Sequence, residues 1–201
     1  MGMGIFAIDY YNSLGLLKRE FGEGRSVCDL GSQDVWHPNM DHKSGRALME
    51  AHGYRYVCID HDGRHGALRL DLNFCLAEDI GERFDIVSNH GTSEHCINQV
   101  NIFKLMHDLC KVGGLIIHIV PSWPWEGTRE GNFYYYSMGL FHDIAEANDY
   151  EKLVIQYVNI VNGNGMHVHA ALRRTTYAAF KLPIQKRYQQ YVPAYEPRSW
   201  P

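Results

Sequence analysis

The stretch SVCDLGSQDV, residues 26–35, constrains the fold more than any other. Small and β-branched residues lead to an acidic residue, Asp29, and then to a glycine turn at Gly31. A short strand of this kind suits the centre of a parallel sheet, where both faces are covered and no alternation with polar residues is needed. A glycine just past the carboxyl end lets backbone approach a ligand closely, and ligands of open α/β sheets lie at that edge.

The rest of the chain supplies the units such a sheet requires. Residues 8–21 place Tyr10, Leu14, Leu17 and Phe21 at helical spacing, with Gly15 inside the pattern and Gly22 and Gly24 after it. A second helix is expected over 42–52, and a second buried strand, YRYVCID, ends at Asp60. A brief strand over 67–70 ends at Asp71, a short helix is expected over 74–81, and FDIVSN forms a further apolar strand. A long helix capped by Thr92 or Ser93 runs to about Lys111, with Glu94 in its first turn, and LIIHIVP returns as a strand. An aromatic loop follows, with Trp123, Trp125 and glycines at 127 and 131, then the amphipathic YYSMGLFHDIAEANDY. Runs 153–161 and 166–176 flank Asn162-Gly163-Asn164-Gly165 and predict an antiparallel hairpin.

Strands alternating with helices, closed by a hairpin, predict a Rossmann-like, mostly parallel α/β sheet with helices on both faces and an antiparallel edge. Residues 1–182 form one domain, of ordinary size for a chain of 201 residues. Prolines at 183, 193, 197 and 201 among tyrosines and charges make 183–201 an extended tail, which bears on whether two subunits join as a homodimer.

A formal charge of −4 without any dense Lys/Arg block gives no electrostatic footprint for nucleic acid or an anionic membrane. No apolar run reaches the roughly 20 residues of a membrane span. The opening segment also lacks the basic start and apolar run of a signal peptide, so a cytoplasmic location is expected. The five cysteines show no C-x-x-C spacing, and free, buried thiols are the expectation.

The ligand follows from what is missing and what is present. DLGSQD carries one glycine where a dinucleotide site wants three, and no P-loop occurs. Asp60 stands one βαβ unit beyond Asp29, placed to accept from ribose hydroxyls, and Asp71 can accept from an exocyclic amine. An acidic rim of this kind fits a nucleoside that has no phosphates and carries a positive centre.

On these residues the sequence resembles the class I S-adenosylmethionine-dependent methyltransferases, and among them small stand-alone bacterial or phage-like members. CDLGSQD is similar to their first motif, YVCID to the second, LRLDLN to the adenine-side motif, FDIVSNHGTSEH to the fourth, and LCKVGGLIIHIVPS to the segment forming the fifth strand. The resemblance spans residues 26–174 and implies S-adenosyl-L-methionine as cofactor. It puts Asp29, Gly31 and Ser32 at the methionine end, Asp60 at the ribose, Asp71 and Leu72 at the adenine, and Asn89 near the sulfonium. Ser88-Asn89-His90-Gly91 departs from the N/D-P-P-Y of enzymes that methylate exocyclic amines of nucleic acids, which turns the expectation toward a small-molecule or glycan acceptor and toward oxygen.

A hydroxyl acceptor needs a base, and His90 at the carboxyl end of the fourth strand is the first candidate, set against a polar loop histidine that only shapes the site. Glu94 and His95 follow, Glu94 also being a natural partner of a helix dipole. His118 is read either as a core histidine or as facing the ligand. Trp123 and Tyr135 are the best candidates for an aromatic acceptor wall, against simple loop packing. Twelve histidines raise a metal-dependent hydrolase as a minor alternative, but the pairs His61/His65 and His167/His169 bring no third ligand and no H-E-x-x-H pattern, so no metal is expected. A nucleoside-binding partner subunit without transfer is the other alternative.

Overall fold

In a computed structural model, which describes residues 2–39, 41–123, 132–160 and 165–183, the 26–30 segment is strand β2 (Ser26–Leu30), buried along its whole length. It lies inside a six-stranded sheet between β4 (Arg55–Ile59) and β5 (Phe84–His90), both parallel to it. β6 (Cys110–Trp123) pairs in parallel with β5. The hairpin of β7 (Glu151–Ile160) and β8 (Gly165–Arg173) completes the order β4-β2-β5-β6-β8-β7. β8 is antiparallel to both of its neighbours. The antiparallel hairpin thus forms one edge of the sheet, as expected, with its returning strand β8 paired to β6 and β7 outermost.

Period-2 alternation divides the strands between two cores. Val27, Ile86, Ile117 and Ile119 face one side, which is covered by α1 (Ile5–Ser13) and α3 (Gly45–Ala51) through Ile8, Tyr11, Leu48 and Met49. Cys28, Leu30, Val87 and Ile116 face the other, under α5 (Gln99–Leu109) with Ile102, Leu105 and Met106. α6 (Met138–Ala147) places Phe141, Ile144 and Ala145 on that same side. All five cysteines are buried and unpaired.

Local chemistry sets the boundaries. The first helix stops at Ser13, well short of residue 21, because Gly15 takes a left-handed φ of 71° that a continuing helix does not allow. Only a four-residue helix, α2 (Arg19–Gly22), follows. The long helix expected from residue 92 is split: a 3-10 turn, Ser93–His95, precedes α5, whose cap is Asn98, accepting from the Asn101 amide at 3.2 Å. The strand expected over 67–70 reduces to one bridge, Leu68 against Ile59. α4 is limited to Ala77–Ile80. A small parallel pair, β1 (Gly2–Gly4) with β3 (Asp34–Trp36), carried no sequence signal and ties the amino-terminal segment to the loop after β2.

Beyond β8 the chain is pinned to the body. Arg174, buried, donates to the carbonyls of His107 and Cys110 at 2.7 Å each, and the Asn148 side chain brackets the backbone of Lys181. The turn expected at 162–165 and the tail from residue 184 lie outside the described residues, apart from Gly165. Among the described residues no helix is long and apolar enough to cross a membrane.

Candidate functional site

The parallel strands β2, β4 and β5 all end at one edge of the sheet, and there the sequence supplies a turn, an acid and a turn. Gly31 has a φ of 93°, and a Cβ on it would stand 2.2 Å from Thr92 Oγ1. Only glycine fits where the β2 turn meets the turn after β5. The Gly31 amide donates to the Ile59 carbonyl at 2.8 Å, and Gln33 Nε2 reaches Thr92 Oγ1 at 3.3 Å, which ties the three strand ends together.

Asp60, at the end of β4, is largely buried. Its Oδ2 accepts from the Ser32 amide at 2.7 Å, and its Oδ1 lies 3.0 Å from His61 Nδ1. Ser32 donates its hydroxyl to the Arg64 carbonyl at 3.0 Å. Asp71 is exposed and accepts from the amide and side chain of Asn73, both at 2.9 Å. Leu72 is buried in the core below, and its carbonyl takes the Asn101 side chain at 2.9 Å. Asn73 and Asn98 are hydrogen-bonded to each other through side chain and backbone, which fixes the Asp71 turn against the start of α5.

Glu94 is the unusual group. It is buried in the 3-10 turn after β5, its Oε2 has no hydrogen-bond partner among the described residues, and burial pushes its carboxyl up to about 7. A buried carboxylic acid with an unmet oxygen is costly unless something else meets it. The buried Cys96 thiol senses this surrounding: burial first, then the charges of Asp71, Glu94 and Asp60, push it up to about 11. Asp60, Asp71 and Glu94 thus come from three separate segments, each near enough to Cys96 to act on its charge.

Other sequence candidates fall elsewhere. Asp29 is fully buried one layer down, accepting from Tyr56 Oη at 2.6 Å and from the Ser88 hydroxyl, and burial raises it to about 7. Asn89 organises the turn after β5: its Oδ1 accepts from the amides of Thr92 and Ser93, and its Nδ2 donates to Ser93 Oγ at 2.7 Å. His90 faces the α1 side and is buried, with Nε2 2.9 Å from Tyr11 Oη, and burial lowers it to about 3. It is a neutral imidazole held under a helix. His118 points to the opposite face among Phe103, Phe141 and Asn89, also lowered by burial to about 3. This is the core alternative for that residue. Half-exposed His95 lies 3.9 Å from Glu94 through Nε2. Tyr135 is partly exposed, and the Trp123 side chain and the loop at 124–131 lie outside the described residues.

Three contributors were not singled out for the roles that they take. Tyr136 donates to Ser93 Oγ or Gln99 Oε1, at 2.9 and 2.8 Å, behind Glu94. Tyr56 holds Asp29, and Tyr10 of α1 packs edge-on against His169 at 4.9 Å between ring centres. Only the tyrosine pairing within α1 could have suggested the last of these. Among the described residues no three His, Cys, Asp or Glu side chains converge as metal ligands; His61 and His65 are taken up by Asp60 and Asp34 respectively.

This architecture, a mostly parallel sheet closed by an antiparallel hairpin with helices on both faces, is a fold shared with solved S-adenosylmethionine-dependent methyltransferases. No protein-family model matches the sequence. No curated protein matches it either. Among solved structures, the chain is similar to the 1,6-didemethyltoxoflavin-N1-methyltransferase of Burkholderia thailandensis with bound 1,6-didemethyltoxoflavin and S-adenosylhomocysteine. That likeness has a TM-score of 0.58 at 15% identity, over 82% of this chain and 77% of that one. It is similar also to the N-methyltransferase NodS of Bradyrhizobium japonicum in complex with S-adenosylhomocysteine, at 0.59 and 12%, over 86% and 89%. An S-adenosylmethionine-dependent methyltransferase of Mesorhizobium loti gives 0.59 at 12%, over 82% and 97%. At these identities the likeness is one of fold.

Proposed function

We propose that this protein transfers a methyl group from S-adenosylmethionine to a small-molecule acceptor. The observation that carries the reading is the set of carboxyls at the sheet's carboxyl edge, Asp60, Asp71 and Glu94, on a fold shared with structures solved with S-adenosylhomocysteine. The donor supplies, when bound, a methyl group on a cationic sulfonium. A negative rim favours such a ligand and disfavours phosphate. Gly31 keeps the β2 turn open to close backbone approach, Asp60 is the ribose acceptor, and Asp71 with Leu72 forms the adenine side.

Glu94 is the base for a hydroxyl acceptor. A carboxyl held near 7 is about half ionised at neutral pH, so it can both take a proton and resist losing it to water. His90 and His118 do not suit that role, since each is held neutral and covered. A nitrogen acceptor is the second reading, favoured by the names of two of the neighbours, both N-methyltransferases. A neutral amine needs no base before it attacks.

The experiment is calorimetric titration of S-adenosylmethionine and S-adenosylhomocysteine into the purified chain, repeated with Asp60→Ala and Glu94→Gln. Binding near one ligand per chain, weakened in Asp60→Ala and retained in Glu94→Gln, is expected. In a transfer assay Glu94→Gln should abolish turnover of a phenol or sugar hydroxyl and spare that of an amine. No binding of either ligand to the wild-type chain refutes the proposal.

A further inference from the structure

The α1 face of the sheet carries polar atoms that the fold leaves unmet. In the strand register His90 on β5, Ile119 on β6 and His169 on β8 lie side by side, and His167 follows two residues nearer the carboxyl edge. α1 lays Tyr10 and Tyr11 over this row, with Tyr10 against His169 and Tyr11 against His90 at 4.9 and 5.3 Å between ring centres. Tyr11 satisfies one nitrogen of His90. Tyr10 Oη, His90 Nδ1 and both ring nitrogens of His169 have no partner among the described residues, although each of the three residues is at most 4% exposed.

Four unmet polar atoms in one patch is not how a helix packs on a sheet for stability, since buried polar groups otherwise find partners. Elsewhere on the same interface Ala7, Ile8 and Val27 are apolar, and the buried Asp29 has its hydrogen bonds met by Tyr56 and Ser88. The polar patch is confined to the half nearest the carboxyl edge, where β5 ends and the proposed donor site begins.

We propose that this patch between α1 and strands β5, β6 and β8 recognises the methyl acceptor, and that the acceptor is a neutral aromatic molecule with hydrogen-bond donors and acceptors on one ring edge. The proposal rests on the methyl-transfer reading above. Its chemistry follows from the lining. His169 offers one N–H and one lone pair, His90 offers Nδ1 alone because Tyr11 takes its Nε2, and the Tyr10 hydroxyl can donate and accept, so the patch matches a mixed donor and acceptor edge. Among the described residues an anion would meet no cation there, because burial holds His90 and His169 neutral. The carboxylate that a cation would find among them is Asp29, 4.0 Å from His90 and already committed to Tyr56 and Ser88. Four aromatic rings bound the patch and favour a flat ligand by edge and face contacts. Access requires α1 to lift from the sheet.

The test uses the full chain saturated with S-adenosylhomocysteine and three probes, catechol, resorcinol and 7-azaindole, with benzoate and benzylamine as charged controls. Affinities are read by ligand-observed NMR titration in wild type, Tyr10→Phe and His169→Phe. Both variants keep ring packing and lose the polar atoms, and circular dichroism and the S-adenosylhomocysteine affinity verify that each remains folded. At least one neutral probe should bind, with affinity falling tenfold or more in both variants while S-adenosylhomocysteine affinity stays unchanged. Equal probe affinity in all three proteins, no binding of any neutral probe, or preference for a charged control overturns the acceptor assignment alone. Failure of the wild-type chain to bind S-adenosylhomocysteine overturns the methyl-transfer reading, and the acceptor role with it.

Discussion

Lowering pH should unfold this protein along a slope that its buried titrating groups set. Burial lowers His90 and His118 to about 3 and His167 and His169 to about 4, so the folded chain keeps these imidazoles neutral where the unfolded chain protonates them near 6.5. Their stabilising effect is complete above 6.5 and is lost as pH falls toward 3 or 4. His107, also pushed down by burial, adds in the same sense. Asp29 and Glu94 act oppositely. Burial raises both to about 7, so the folded chain holds two protons that unfolded carboxyls release near 4, and their contribution is present in acid and lost as pH rises to 7. Four imidazoles against two carboxyls leave the unfolded state ahead by about two protons near pH 5, a slope of roughly 3 kcal/mol per pH unit there.

Half-titration near 6.5 softens the start, so the fall from pH 6.5 to 4.5 comes to about 4 kcal/mol, a large part of the 5–15 kcal/mol that holds a typical domain. Between 6.5 and 8 the curve should be nearly flat. Urea unfolding at constant ionic strength, followed by tryptophan fluorescence at half-unit pH steps, measures this. His118→Gln removes one titrating imidazole and should cut the loss to about 2 kcal/mol. A stability constant to within about 1 kcal/mol over that range, or one that rises toward pH 5, refutes the reasoning.

Gly31→Ala forces a Cβ into Thr92 Oγ1 at a φ of 93° and should cost about 1–3 kcal/mol in urea unfolding, with loss of S-adenosylhomocysteine binding in calorimetry. A parallel Gly24→Ala, also left-handed but facing open space, should cost less and spare binding. Tyr56→Phe leaves Asp29 with one donor fewer at full burial and should destabilise by roughly 1–3 kcal/mol at pH 7.5, and by less at pH 5, where the carboxyl is protonated. Asn98→Ala removes the α5 cap and the side-chain bond to the Asn73 carbonyl, for about 1–2 kcal/mol by thermal unfolding, whereas Asn98→Asp should retain the cap.

How much of this was legible in the sequence divides along the distance over which a signal acts. The 26–30 strand, the acid at 60 and the strands of the closing hairpin are written in local pattern, and each lies within a few residues of where its pattern puts it, because a buried parallel strand tolerates few other residue types. Boundaries were missed where one residue overrode a periodicity. Leu17 and Phe21 continue the helical spacing of α1, yet Gly15 turns left-handed and the helix stops at Ser13. Ser93 and Thr92 are good caps by type, but the Asn89 side chain takes their amides, and the helix waits for Asn98. Placement divides in the same way. Asp60 lies where the end of β4 puts it, whereas Glu94, expected in the first turn of a helix, lies in the 3-10 turn before it. The face that His90 takes was not legible, since a strand residue faces one side or the other by register, and position at the carboxyl end gives no indication of which. Parity with Ser88 and Ile86 sends it under α1. That same parity, carried across β6 to β8, sets His169 beside it and makes a polar patch from residues 79 apart in sequence, a juxtaposition that pairing alone creates.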